Sequence, residues 1–598
     1  MNPPHAASRQ LDQLDYFDLL REVKKSAEIV QGKVIRLAIL ADFATQSLAP
    51  VLKALFARYD VKLELYEAAF DAIDIEVIDA SSGLYQFKPD YVAVIMATQQ
   101  LRARIYTTSS RTDFAELTTR HLVELWSKIA EKSSAKIVQA TFVLPAERAF
   151  GNYELRIPYS VGAIISDVNR AIVEAARRAG HVLICDVDFV AAEIGRRNWF
   201  DDRLWILSKA LCSYDAMPRC GRALADVVLA AEGRVVKCVI LDLDGTLWGG
   251  VIGDDGLEGI RLGELEDGDA FVDFQRFLLE LKRRGIILAV VSKNERQHAL
   301  LPFQKHPNMV LKEDDIAVFI ANWENKADNI RAVQGVLNIS FDSIVFLDDN
   351  PFERGLVRRM LPDVIVPELP EDPSQFLSSI ADLALFETAS HSEIDEKRVA
   401  QYRQEAERHL LRNQFSDIDA YLASLNMTIK VERFSEFNLP RIVQLMQRSN
   451  QFNLTTRRYN HSVCCKIMRD PASCALTMSL KDTFGDSGLI CIIILNVSET
   501  VVIDEFLMSC RVLNRGVEAF VMNTIFELAR RRGANSVVGS YVPTPKNGMV
   551  QNFYSGFGFA LVEEKVLGET TWQLDLAAYS PKPHHIKTEA MKLDRSIK

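Results

Sequence analysis

Short apolar runs alternate with amphipathic stretches of helical period through residues 34–190, and this alternation restricts the fold more than any other feature. VIRLAIL (34–40), VKLELY (61–66), YVAVIM (91–96), KIVQATFVL (136–144) and HVLICDV (181–187) read as strands. LAPVLKALFARY and ELTTRHLVELWSKIAE, lying between them, read as helices. Most of these strands are apolar at both parities, so both faces of their sheet must be covered. The alternation predicts an α/β fold with a parallel sheet between helical layers.

Residues 235–366 repeat the pattern. VVKCVILDLDG, FVDFQRFLLELKRRG, IILAVVSKN, NKADNIRAVQGVLN and SIVFLDDNP read as strand, helix, strand, helix and strand. PELPEDPSQ (367–375) punctuates the end, and EIDEKRVAQYRQEAERHLLRNQ reads as a charged connecting helix. Residues 427–576 read differently. MTIKVERF, CALTMSL, LICIIILNV and TVVIDEFLMS are strands in series before the helix RGVEAFVMNTIFELARRR, an α+β order. The expected organisation is a helical segment at 1–33, α/β domains at 34–230 and 231–375, a helical connector at 376–426, an α+β domain at 427–576 and a flexible tail at 577–598.

Composition limits the function classes. The chain has 598 residues, 48% hydrophobic and 25% charged, with a net charge of −10. That balance suits a soluble multidomain protein and offers no basic surface for a nucleic-acid backbone. Nine cysteines without a CxxC pair point to reduced thiols rather than to a disulfide framework or a structural zinc. No apolar run reaches membrane-spanning length, and MNPPHAASRQLDQLDYFDLL lacks a signal-peptide pattern, so a cytoplasmic enzyme without a membrane partner is expected.

The chemistry concentrates in VILDLDGTLWGG (239–250). An apolar strand runs into Asp242, at the carboxyl end where open α/β sheets bind ligands. Asp244 lies two residues on, and Gly245 permits a tight exit turn. Later strand ends add Ser292, a hydroxyl for a phosphate oxygen, and Asp348 with Asp349, acidic groups for a metal. Lys326 opens a helix and suits developing negative charge; Lys312 is the alternative lysine. Nucleophile, hydroxyl, lysine and acidic pair supply what in-line phosphoryl displacement requires.

This order resembles the haloacid-dehalogenase (HAD) superfamily, with DLDGT as its DxDx[TV] motif. The resemblance implies a Rossmannoid sheet in which Asp242 becomes an aspartyl-phosphate. Asp244 would protonate the leaving group and then activate water. Mg²⁺ would be held by Asp242, Asp244 (through its main-chain carbonyl), Asp348 and Asp349. Thr246, Ser292, Lys293 and Asn294 would bind the phosphorylated substrate. The spacings leave no room for a large cap, so an open site and a bulky or protein-tethered substrate are expected. WGGVIGDDGLEGIRLG is expected to form a hairpin over it.

In the third block, RVLNRG (511–516) resembles the pyrophosphate loop of GNAT acyltransferases, with Asn514 at the place of the first glycine. Arg511 and Arg515 would flank a phosphate at a helix N-terminus. Cys510, just before the loop, suits an acyl-carrying thiol; Cys238 is a rival, on the Asp242 strand face. Asn450, in SNQFNLTTRRY (449–459), would line the acyl or pantetheine site.

Taken together, LDLDGTLWGGVIGDDG, NWENKADNI, FLDDNPFERGLVR, SNQFNLTTRRY and SCRVLNRGVE resemble the FkbH-like family. Its members are glyceryl-acyl-carrier-protein synthases of polyketide pathways. The resemblance implies conversion of 1,3-bisphosphoglycerate to a glyceryl thioester on the phosphopantetheine of an acyl carrier protein, through an enzyme cysteine. The products feed methoxymalonyl extender units or tetronate rings. It also implies an N-terminal SGNH-hydrolase-like, flavodoxin-like sheet. There Phe43, in LADFATQ (40–46), stands at the nucleophile's place and NWFDDRLW (198–205) lacks the motif histidine, so that domain is expected to be non-catalytic. The rival readings are a small-molecule phosphatase with a cofactor-binding C-terminal block, a carrier-docking scaffold and an N-acyltransferase.

Overall fold

The computed structural model describes residues 15–26, 32–265, 267–390, 402–404, 408, 411–412, 415, 417–448, 452–457, 459–509, 512–544, 547–565 and 568–589. They fall into two compact units. The first is Met1–Glu280, Lys305–Val310 and Phe341–Glu393; the second is Leu281–Gln304, Leu311–Ser340 and Ile394–Lys598.

The first unit opens with strands β1 (Lys33–Ala41), β2 (Val61–Glu67), β3 (Tyr91–Ile95), β4 (Lys136–Ala140) and β5 (Val182–Cys185). They form one sheet in the order β2-β1-β3-β4-β5, parallel throughout. Leu37 and Ile39 enter one buried core with Leu52 and Leu224, while Ala38 and Leu40 enter another with Trp126 and Ile165. Successive residues of one strand thus face different cores, which is why the run is continuously apolar. The expected doubly wound architecture is present, and its order reverses between β1 and β3.

The next strands are β6 (Cys238–Leu241), β7 (Ile287–Ser292), β8 (Ile316–Ala321) and β9 (Ile344–Leu347). In the first unit β6 pairs parallel with β9, Leu241 opposite Leu347. In the second unit β7 pairs parallel with β8, and the helix Lys326–Leu337 packs on β7.

The second unit also contains β10 (Thr428–Arg433), β11 (Ser473–Asp482), β12 (Gly485–Val497), β13 (Thr500–Met508), β14 (Ser536–Tyr541), β15 (Ala560–Glu564), β16 (Thr570–Asp575) and β17 (Lys587–Glu589). They form one sheet in the order β15-β16-β14-β13-β12-β11-β10-β17. Neighbours are antiparallel except β13–β14 and β10–β17. The helix Val517–Arg531 makes the crossover that a parallel β13–β14 pair needs.

The loose tail expected from residue 577 is not what residues 577–589 form. Tyr579 is 5% exposed and stacks on Phe526 at 3.7 Å between ring centroids. Its hydroxyl donates to Asn523 Oδ1 at 2.6 Å, and β17 completes the β10 edge. One buried aromatic ring and a paired backbone offset the entropy of ordering the segment. Most of the expected connecting helix at 393–414 lies outside the described residues. Among the described residues no helix is long and apolar enough to cross a membrane.

Candidate active site

The ladder between β6 and β9 continues one residue past β6, where Asp242 N donates to Leu347 O at 2.9 Å. Asp242 and Asp348 therefore leave adjacent parallel strands side by side. Oxygens of Asp242, Asp348 and Asp349 all lie within 4.8 Å of one another, the first two residues buried and the third exposed. A cluster of carboxylates of this size is the oxygen-rich donor set that a hard divalent cation takes. Local sequence builds it. Gly245 adopts φ +69, and a Cβ there would lie 2.3 Å from Asp349 Oδ2. Only glycine lets the turn after Asp244 approach the acidic pair so closely. Thr246 is buried, and its hydroxyl accepts from Asp349 N at 3.2 Å. Asn350 caps the next helix by accepting from Phe352 N at 2.9 Å, with Pro351 at the first helical position.

Asp244 does not extend this carboxylate group. Its Oδ1 accepts from Trp248 Nε1 at 2.8 Å and from Ile252 N at 3.0 Å. The Asp244 carboxylate is thus fixed by an indole and a backbone N–H. The expected hairpin is also corrected. Residues Ile252–Gly259 form a short helix, bent where Gly256 takes φ +67, closed off by a single antiparallel bridge between Gly249 and Arg261. Asp244 satisfies a backbone N–H at that helix start, a group that would otherwise need another partner.

The motif alone did not point to Trp248 or Arg354. Trp248 is fully buried and stands four residues beyond the aspartate it orients. Arg354 is 5% exposed; its guanidinium donates to the main-chain oxygens of Asp348 at 2.8 Å and Asp349 at 2.6 Å, and to Glu368 at 2.9 Å. It fixes the backbone from which the acidic pair projects. The available signal was an arginine one helical turn into the FLDDNPFERG segment.

In the second unit, Ser292 ends β7 and is 2% exposed; its Oγ accepts from Asn294 Nδ2 at 3.2 Å. Lys293 between them is half-buried. Lys326 is the first residue of its helix, behind the cap Asn325, and is 2% exposed. Lysines are rarely so buried. Lys312, the alternative lysine, is exposed.

Cys510, Arg511 and Asn450 lie outside the described residues. Arg515 is drawn toward a carboxylate. It is 5% exposed and reaches Asp482 at 3.5 Å, a fully buried carboxylate that also pairs with Arg408 at 2.7 Å. Asn514 takes φ +60, the left-handed conformation a glycine would supply, which asparagine tolerates best among other residues. Cys238 is fully buried at the far end of β6 from Asp242, and burial pushes its thiol well up. Residues Phe452–Leu454 occupy the space alongside β13: Leu454 N donates to Phe506 O at 3.2 Å and Met508 N to Phe452 O at 3.0 Å.

At the reversal point of the first sheet, Asp42 ends β1, 2% exposed, and accepts from Ala97 N at 2.6 Å. Burial pushes its carboxyl up to about 6. Phe43 is 2% exposed in the core.

A doubly wound N-terminal sheet, joined to a parallel α/β block with three convergent carboxylates, defines a multidomain α/β protein with an acidic, cation-competent site. Residues 36–229 match the family model described as FkbH, N-terminal domain. The chain is 38% identical to the N-terminal part of the protein BF1531 from Bacteroides fragilis, containing a phosphatase domain complexed with Mg. That match covers 63% of this chain and 100% of the other, with a TM-score of 0.59. The chain belongs to the FkbH family. Slighter likenesses include the ribosomal-protein-S18-alanine N-acetyltransferase from Escherichia coli, at 10% identity over 26% of this chain and 99% of that one, TM-score 0.21. Another is spermidine N-acetyltransferase from Vibrio cholerae, at 10% identity over 25% of this chain and 98% of that one, TM-score 0.21. Likenesses that slight carry no argument. No curated protein matches the chain.

Proposed function

We propose that the protein is a Mg²⁺-dependent phosphatase and glyceryl transferase that converts 1,3-bisphosphoglycerate to a glyceryl thioester on an acyl carrier protein. The observation that carries the phosphoryl half is the convergence of Asp242, Asp348 and Asp349 at the ends of β6 and β9. Those three residues, with the Asp244 main-chain carbonyl, would hold Mg²⁺, which would neutralise charge on a phosphoryl group. Likeness to a phosphatase domain complexed with Mg supports that assignment.

A carboxylate oxygen of Asp242 attacks the phosphorus of the C3 ester. The bond from phosphorus to the ester oxygen breaks as Asp244 protonates that oxygen, leaving an aspartyl-phosphate. Asp244 then takes a proton from water, which attacks the phosphorus and releases inorganic phosphate. Trp248 and Ile252 N orient Asp244 for both proton transfers. Ser292, Lys293, Asn294 and Thr246 hold phosphoryl oxygens, and Lys326 balances their charge. In the acyl half the Cys510 thiolate attacks the C1 carbonyl, and the acyl phosphate leaves as phosphate. The pantetheine thiol of the carrier then takes the glyceryl group from the resulting thioester. The N-terminal domain, with Phe43 buried at the nucleophile's place, is non-catalytic in this reading.

Intact-protein mass spectrometry with 1,3-bisphosphoglycerate, Mg²⁺ and a holo carrier protein tests the proposal. A glyceryl increment on the carrier is expected; an unmodified carrier with free phosphate rejects the acyl half. A hydroxylamine-labile adduct that persists in Cys510→Ala rejects the thiol assignment.

One observation favours a small-molecule phosphatase whose C-terminal block only binds a cofactor. Arg515 is tied to buried Asp482, and residues Phe452–Leu454 already bond to β13. Release of phosphate from 3-phosphoglycerate without any carrier supports that second reading.

A further inference from the structure

Strand β13 carries an irregularity that sets up a second polar site. Opposite β12, Ile494 pairs with Glu505 and Leu495 with Ile503, so Asp504 is an extra residue. Such a bulge re-aims the side chains that follow it. Ile503 and Phe506 enter one core, and Leu507 enters the other with Ile492 and Ile494. Glu505 lies on the Leu507 side. Asn453 bridges antiparallel to Leu507, which puts Asn453 and Thr455 on that same side.

Three polar side chains therefore share one buried face. Glu505 is fully buried, Asn453 is 1% exposed and Thr455 is 5% exposed. Thr455 Oγ1 donates to Glu505 Oε2 at 2.9 Å, and Asn453 Oδ1 accepts from Thr456 N at 2.6 Å. The remaining atoms, Glu505 Oε1 and Asn453 Nδ2, are buried without a hydrogen-bond partner. Burial without a partner is costly for such atoms, so their retention needs a reason. Burial pushes the Glu505 carboxyl up to about 8, so near neutral pH it is an acid able both to donate and to accept.

We propose that Glu505 and Asn453 bind a hydroxyl group of the acyl chain that this domain transfers, and so select a hydroxylated acyl group over its deoxy counterpart. The inference rests on the acyl-transfer half of the proposed function. An amide N–H and a carboxyl oxygen left unpaired on one buried face are a donor and an acceptor for one alcohol. A site built this way rejects an analogue that lacks the alcohol, because its own buried groups then stay unpaired.

The test compares enzyme acylation by 1,3-bisphosphoglycerate and by propionyl phosphate in the full chain, read by intact mass. The wild type should favour glyceryl by at least ~100-fold, in line with sites that hydrogen-bond a substrate hydroxyl. Glu505→Gln and Asn453→Leu should each cut that preference at least ~10-fold, chiefly by slowing glyceryl transfer. Glu505→Gln keeps the side-chain shape and an acceptor for Thr455 and should leave the melting temperature within a few degrees of wild type, whereas Asn453→Leu also strands Thr456 N and should lower it. Phosphate release from 3-phosphoglycerate should stay at the wild-type rate. Preference within twofold of wild type in both variants overturns the inference and leaves the acyl reading standing. So does a lowered melting temperature in Glu505→Gln with equal loss for both donors, the mark of a structural role. A wild type that forms no acyl adduct overturns the acyl reading and this inference with it.

Discussion

Trp248 Nε1 donates to Asp244 Oδ1 at 2.8 Å, so an indole within the motif segment fixes the carboxylate assigned to proton transfer. Phenylalanine at 248 keeps the ring volume and deletes this bond. Trp248→Phe is expected to lower phosphate release about tenfold, the scale of imperfect general acid–base geometry, while Mg²⁺ affinity holds. Steady-state kinetics beside a Mg²⁺ titration read both quantities.

Asp242 belongs to the carboxylate group and is also the assigned nucleophile. Asp242→Asn should reduce phosphate release by at least ~10³-fold, with the melting temperature changed by only a few degrees. Chelation of Mg²⁺ should abolish wild-type release and readdition should restore it. Release that survives both treatments would exclude the acidic cluster from the chemistry.

Arg354 holds two main-chain carbonyls and a glutamate from a buried position. Arg354→Met should destabilise the first unit by about 2 kcal/mol, since it strands the main-chain carbonyls of Asp348 and Asp349, while exposed Glu368 keeps its pairing with Arg358. Mg²⁺ should bind about 10–100-fold more weakly, because a residue that orients ligands is lost. Urea unfolding and magnesium titration give the two numbers.

Asp42 supplies a pH signature. Burial pushes its carboxyl up to about 6 from 3.8, so the folded state binds that proton more tightly than the unfolded chain does. Its stabilising share is complete below pH 3.8 and is lost as pH rises through about 6. Asp42→Asn removes the loss. Its advantage over wild type should grow by about 2 kcal/mol between pH 4 and pH 7, measured by urea midpoints. A constant difference across that range would show that Asp42 does not carry the titration.

The strands of the first sheet and β6, β7 and β9 were legible because burial on two faces leaves a continuous apolar run. The acidic residues were legible because they interrupt such runs at strand ends. β8 was not read as a strand: IAVFIA (316–321) follows a charged turn and is apolar for six residues only, a length at which helix and strand periodicities cannot be separated. The Gly-rich segment at 248–263 carries the glycines of a hairpin, yet Asp244 draws Ile252 N toward it and a helix starts there. Residues 577–589 read as a tail because their polar composition hides Tyr579 and Ile586, whose burial depends on Phe526 and β10 far away in sequence.

By itself the sequence determined the alternation of strands and helices and which acidic residues end the strands, since both follow from local periodicity. Tertiary structure alone decided that Asp242, Asp348 and Asp349 converge, that Arg515 pairs with Asp482, and that Glu505 and Asn453 share a buried face. Each of those outcomes is a pairing between distant segments, set by strand register and by the need to satisfy buried charge, and no window of neighbouring residues contains it.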